Sequence, residues 1–132
     1  MNRWIFVIKG SDEEFQSRVK TKKWPIFNKT QNRKKLAIGD FIVFYKAGIN
    51  GQRFLGSATI KTELKEQTTF KYFLEMDKIS VWKNPVAMKQ IIAKLDFVKN
   101  KNSWGNYFQG GVRAVSEKDF FIITNQNLTK SL

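Results

Sequence analysis

The sequence predicts a small α+β domain whose short strands curve into a partly closed barrel flanked by helices. Three observations carry that expectation. The chain has 132 residues, which suits one domain around one core, and no repeat or linker divides it, so residues 1–132 read as a single unit. Apolar runs and helix-spaced stretches follow in the order strand, helix, loop, three or four strands, helix, loop, helix. Glycines mark the corners of the short strands, where a small barrel bends.

Each element has its own signal. Trp4-Ile5-Phe6-Val7-Ile8 is a continuous apolar run ended by Lys9-Gly10, the pattern of a buried first strand. Ser11 with Glu14 makes a capping box, and Phe15 and Val19 follow at helical spacing, so a short helix is expected over residues 12–20. Residues 21–38 are polar and basic around Trp24-Pro25-Ile26-Phe27, and they read as a long ordered loop with at most one helical turn. Gly39-Asp40 turns the chain into Phe41-Ile42-Val43-Phe44-Tyr45, apolar on both faces and so a central strand. Gly48, Asn50 and Gly51 supply hairpin chemistry before a returning strand over 54–60, in which Gly56 and Ala58 permit close approach or a bend. Residues 69–81 alternate as a longer strand. Asn84-Pro85 reads as a cap and first helical position, with a helix to about residue 94. Ser116 with Asp119 caps a final segment, residues 120–124, that reads as helix or strand, the cap favouring helix.

Composition limits the chemistry. Lys and Arg number 24 against 11 acidic residues, a formal charge of +13. That excess exceeds what solubility needs and repels itself, so a polyanionic partner explains it economically. Nucleic acid fits best, ahead of an anionic membrane surface or a generally lysine-rich proteome. Neither Cys nor His is present, which excludes thiolate catalysis, disulfides and almost all zinc, copper and haem sites, and removes the commonest general base. With no signal peptide or membrane-spanning run, a cytoplasmic location is the default expectation.

The most informative stretch runs from Leu95 to Arg113. An apolar segment breaks there into a basic, amide-rich loop with one Trp, a glycine pair and an Arg. Such a loop can offer an aromatic face, amide hydrogen bonds and a cation together, the set that holds a nucleobase on its phosphate backbone. Gly110-Gly111 is no phosphate loop, since no Gly-Lys-Ser/Thr follows.

The pattern Leu95-x-Phe97-Val98-Lys99-Asn100-Lys101-x-x-Trp104, followed by Gly110-x-x-Arg113-x-x-Ser116-x-x-Asp119-Phe120, resembles the EVE domain family. So do the opening Trp4-Ile5 strand, the Trp24 segment leading to Gly39-Asp40 and an apolar strand, and Gly56. Each piece alone is weak, but their order is fairly specific and covers nearly the whole chain. That family lies in the PUA-like superfamily with YTH and ASCH domains. The resemblance implies a PUA-like barrel with a pocket on one side, and a role in reading modified bases in DNA or RNA. YTH relatives enclose a methylated adenine in an aromatic cage. One departure is that Phe15 stands where family members often carry a Trp in the first helix.

The candidate residues each have two readings. Trp24 and Trp104 are stacking walls for an unpaired base or plugs at the base of a loop. Trp4 reads as core, and Trp82, at a strand end, as either. Asn28 and Asn100 can read a base edge through donor and acceptor, or form turns. Arg113 can hold a phosphate bidentately or bridge Asp119. Lys29, Arg33, Lys34 and Lys35, with Lys20, Lys22 and Lys23, make an electrostatic footprint or a solvated face. Asp40 and Asp119 occupy turn and cap positions with structural work to do, and no acid–base pair stands out. The expectation is therefore a non-enzymatic, monomeric nucleic-acid binder with no cofactor, no metal and no membrane contact. Its alternatives are an RNA-processing or RNA-modification accessory protein that reads structured RNA by shape, and an enzyme acting on a nucleotide or small anion.

Overall fold

A computed structural model describes residues 1–27, 30, 32–48, 51–68, 71–98, 108 and 111–131, with side chains placed up to residue 125. The element order is β1 (Arg3–Ile8), α1 (Asp12–Thr21), β2 (Lys23–Phe27), β3 (Phe41–Lys46), β4 (Arg53–Ile60), β5 (Lys65–Thr68), β6 (Lys71–Ala87), α2 (Met88–Ile91), β7 (Val112–Ala114) and α3 (Glu117–Ser131). Short 3-10 turns lie at Arg33–Lys35 and Ile92–Lys94. The strands form one mixed sheet in the order β2-β6-β4-β3-β1-β7, with β5 paired to β6. It curls into a half-barrel, an α+β fold of the PUA-like kind.

The continuous apolar runs are explained by burial on both sheet faces. In β1, Trp4, Phe6 and Ile8 enter one core with Phe15 of α1, Trp24, Phe44 and Leu74. Ile5 and Val7 enter a second core with Tyr45, Phe54, Ile91 of α2 and Ile123 of α3. β3 lies between β1, which it joins in parallel, and β4, which it joins antiparallel. Its central position follows from the same two-sided pattern.

Buried carboxylates fix the corners. Asp40 is 3% exposed, and it accepts from the indole Nε1 of Trp4 at 2.9 Å and from the backbone N–H groups of Asn2 and Ala37, each at 3.1 Å. Asp119 is 1% exposed. Its carboxylate accepts from the N–H groups of Asp96 and Phe97 at 3.1 Å, while its own N–H donates to the Ser116 hydroxyl at 3.1 Å, closing the cap expected for α3. Both acids therefore have the structural work that their positions suggested.

Three sequence expectations need correction. Residues 23–27 are a strand, not loop; the single helical turn expected in that region is the 3-10 turn at Arg33–Lys35. Pro25 is tolerated because β2 is the outermost strand on its side of the sheet, where a missing N–H costs no ladder bond. Asn84-Pro85 does not start a helix. β6 continues to Ala87, because Val86 pairs with Phe54 and is fully buried. Phe54 faces Val86 while Gly56 faces Val81, so residues between them bulge and place Pro85 off the ladder. The helix begins only at Met88. Finally, the short strands β5 and β7 join the sheet, although neither stood out as a strand.

Candidate functional site

A cavity of about 420 Å³ opens where β1 ends. Local sequence builds it. The end of β1 carries Val7 and Ile8 into Lys9-Gly10, and Ser11 then caps α1 by accepting from the Glu14 N–H at 3.1 Å. β7 pairs antiparallel with β1, setting Val112 opposite Phe6, and the Val7 N–H donates to the Gly111 carbonyl at 2.8 Å. The end of the long Leu95–Arg113 stretch is thereby brought to the cavity wall, where Gly111 and Val112 line it with Trp24, Pro25, Ile26, Phe27 and Thr30.

Trp24 is the inner wall. Its ring is only 2% exposed, stacked on Phe44 at 5.1 Å and edge-on to Phe15 at 6.5 Å. The guanidinium carbon of Arg18 lies 4.5 Å from the indole centroid. Arg18 in turn donates from Nη2 to Glu14 Oε1 at 2.7 Å. Glu14 rests over Gly10, where any Cβ would collide with its carboxylate. Gly10, Glu14, Arg18 and Trp24 thus form one chain of contacts along the cavity. The i,i+4 spacing of Glu14 and Arg18 puts both on one face of α1.

The cavity rim is basic. Lys9 and Arg18 belong to it, and the acid Glu14 is engaged by Arg18. Asn32 donates from Nδ2 to the Val112 carbonyl at 3.2 Å, which seats the following turn, Arg33–Lys35, beside the cavity. Lys34 and Lys35 are exposed there, and Arg33 lies 5.5 Å from the Tyr72 ring centroid. A larger groove of about 770 Å³ lies elsewhere, against α3, lined mainly by Phe41, Phe120, Phe121 and Ile122. Its charged members are already engaged: Arg3 with Glu117 at 3.8 Å and Lys118 with Asp96 at 2.8 Å. The smaller cavity brings aromatic, cationic and backbone groups together, so it is the candidate site.

Of the residues singled out in the sequence, the structure brings Trp24 to the cavity and Arg33, Lys34 and Lys35 near it. Arg113 does not join them. It sits opposite Ile5 in the ladder and so faces the second core, with its guanidinium carbon 5.4 Å from the Phe97 centroid. Trp4 and Trp82 are core, at 2% and 6% exposure. Trp104, Asn28, Asn100 and Lys29 lie outside the described residues. Sequence reasoning missed Lys9, Glu14, Arg18 and Phe27. The Glu14/Arg18 spacing on a capped helix was the available signal for two of them. Among the described residues no group of acidic side chains is placed to hold a metal ion, and no helix is long and apolar enough to cross a membrane.

The EVE domain model matches residues 2–126. No curated protein matches the sequence. Among solved structures, a hypothetical protein from Leishmania major superposes with a TM-score of 0.73 at 13% identity, covering 100% of this chain and 98% of that one. The human THYN1 protein in complex with 5-methylcytosine-containing DNA gives 0.65 at 8% identity, covering 96% and 98%. The YTH domain of the Zygosaccharomyces rouxii MRB1 protein, in complex with N6-methyladenosine RNA, gives 0.63 at 16% identity, covering 95% and 86%. These identities speak for a shared fold.

Proposed function

The chain belongs to the EVE domain family, and from that premise we propose that it is a non-enzymatic nucleic-acid binder that takes one modified or unstacked base into the cavity at the end of β1. The observation that carries this reading is the Arg18 guanidinium lying over Trp24 inside a cavity of about 420 Å³, a volume in the usual range for small-ligand sites. A flat base can stack on an arginine plane as it does on an aromatic ring. The buried indole then acts through Arg18, backing the cation rather than meeting the base with an open face. The human THYN1 structure is in complex with 5-methylcytosine-containing DNA and the Zygosaccharomyces rouxii YTH structure with N6-methyladenosine RNA, and in the cavity here a methyl group would fill apolar space beside Ile26 and Val112. Lys9, Lys34, Lys35 and Arg33 would hold phosphates and give salt-sensitive affinity.

Asn28, Asn100 and Trp104 are proposed as further base contacts on chemistry and chain position. Asn28 directly follows Phe27 of the cavity wall, and the other two precede Gly111 in the same stretch. Lys29 is assigned to the backbone footprint on the same ground, next to Asn28. Arg113 contributes to phosphate binding only if the strand reaches the other sheet face.

The test is affinity for matched oligonucleotides, methylated and unmodified, single- and double-stranded, DNA and RNA. The proposal expects a methylated or unpaired base to bind more tightly than its matched control. Equal affinity for all single strands, with preference only for structured RNA, would favour recognition by shape and overturn the base pocket.

A further inference from the structure

We infer that the outward face of β2 and β6 is a track for single-stranded nucleic acid, continuous with the cavity. The pleat turns Trp24 and Ile26 into the core and leaves Lys23, Pro25 and Phe27 outside. The register sets Pro25 opposite Phe73 and Phe27 opposite Lys71. Two rings are thereby presented on one face, each with a lysine against it. Lys71 Nζ lies 6.0 Å from the Phe27 centroid, and Lys23 Nζ lies 5.0 Å from the Phe73 centroid. Phe27 is 52% exposed, an apolar cost at a place where the core has no use for the ring.

Alternating rings and cations suit a strand whose bases are unpaired. Each ring can stack a base of any sequence, and each ammonium can meet the phosphate beside it. A duplex keeps its bases stacked inside and offers the rings nothing. Charge complementarity points the same way, since the one acid in this row, Glu75, is paired with Lys65 at 3.0 Å. Pro25 and Phe27 line the cavity, and Pro25 also lines the adjoining groove with Lys23 and Phe73. A strand could thus run across both rings and deliver one base to the cavity. The position of that base rests on the function proposed above; the track itself does not.

The test uses the full chain and a single-stranded oligothymidylate of about 12 nucleotides, within the span that such binders cover, beside a duplex of equal length. Phe73→Ser changes one outward side chain that does not line the cavity, and folding is checked by circular dichroism and thermal melting. The variant is expected to lose about tenfold in single-strand affinity with duplex affinity unchanged. Lys23→Ala/Lys71→Ala is expected to lower the single-strand salt slope by about 1–2. Unchanged single-strand affinity in the folded phenylalanine variant would overturn the inference. So would an equal loss for the duplex, or a polyglutamate peptide competing as well as the oligonucleotide at matched charge. The methyl preference of the wild type is read separately. If that preference is absent while the phenylalanine variant still loses affinity, the base pocket fails and the track stands.

Discussion

At the residue scale, the buried carboxylates Asp40 and Asp119 each serve several donors, and that makes their removal costly. Asp40 satisfies the Trp4 indole and two backbone N–H groups at once. Asp40→Ala leaves these donors without their acceptor and is expected to cost about 3 kcal/mol, read from urea unfolding. Arg18 has a different role. It lies on Trp24 and is held by Glu14, so Arg18→Ala should cost only about 1 kcal/mol of stability. Its larger effect should be on affinity for a methylated oligonucleotide, by removing the plane on which the base is proposed to stack. Arg18→Lys should not restore that affinity, because an ammonium has no plane. Recovery by lysine would show that only charge matters at this position.

At the element scale, pairing decides what local pattern leaves open. Gly56 sits opposite Val81 where β4 pairs with β6, and a Cβ there would run into the Ser80 carbonyl and lie 3.1 Å from the Val81 Cα. Gly56→Ala is therefore expected to destabilise by about 2–3 kcal/mol, seen as a lowered urea midpoint. α1 is tied to the sheet through Asp12, which pairs with Lys46 and lies 3.7 Å from Arg53. The hydrogen bond and charge of Lys46, followed by the charge of Arg53, hold the Asp12 carboxyl below the usual carboxylate range. Lys65 does the same for Glu75. A lowered carboxylate value means that the pair's contribution is complete at neutral pH and is lost as pH falls through the lowered value. The midpoint of urea unfolding should thus fall with acid below the normal carboxylate range, and less steeply in Asp12→Asn. Elements with a two-sided or capped pattern, β1, α1, β3 and α3, were legible in the sequence for this reason: local signals and tertiary pairing agree there. β2 was not, because its basic, polar setting reads as loop, and only pairing with β6 at the sheet's end makes Lys23–Phe27 a strand. Asn84-Pro85 misled for the converse reason, since the burial of Val86 against Phe54 outweighs a sound capping signal.

At the scale of the whole molecule, the proposed function gives the excess of cations and the cavity separate parts in binding. On that proposal charge supplies general affinity that falls with salt, and the cavity supplies selectivity. Lys34→Ala/Lys35→Ala should weaken all oligonucleotides alike and lower the salt slope by about 1–2, while the ratio of methylated to unmodified affinity stays constant. A changed ratio would place these lysines in base recognition. The basic character of the site could be read from composition, and Trp24 from its setting among lysines. The contact of Arg18 with Trp24 could not, because it depends on how closely α1 approaches β2. The most direct test of the base-binding cavity is a map of amide chemical shifts during titration with a short methylated single strand. The account predicts the largest shifts at Val7 to Gly10, at Ile26 and Phe27, and at Gly111 and Val112, with smaller shifts for the unmodified strand. Shifts confined to the α3 groove around Phe120 and Phe121, or equal for both strands, would contradict it.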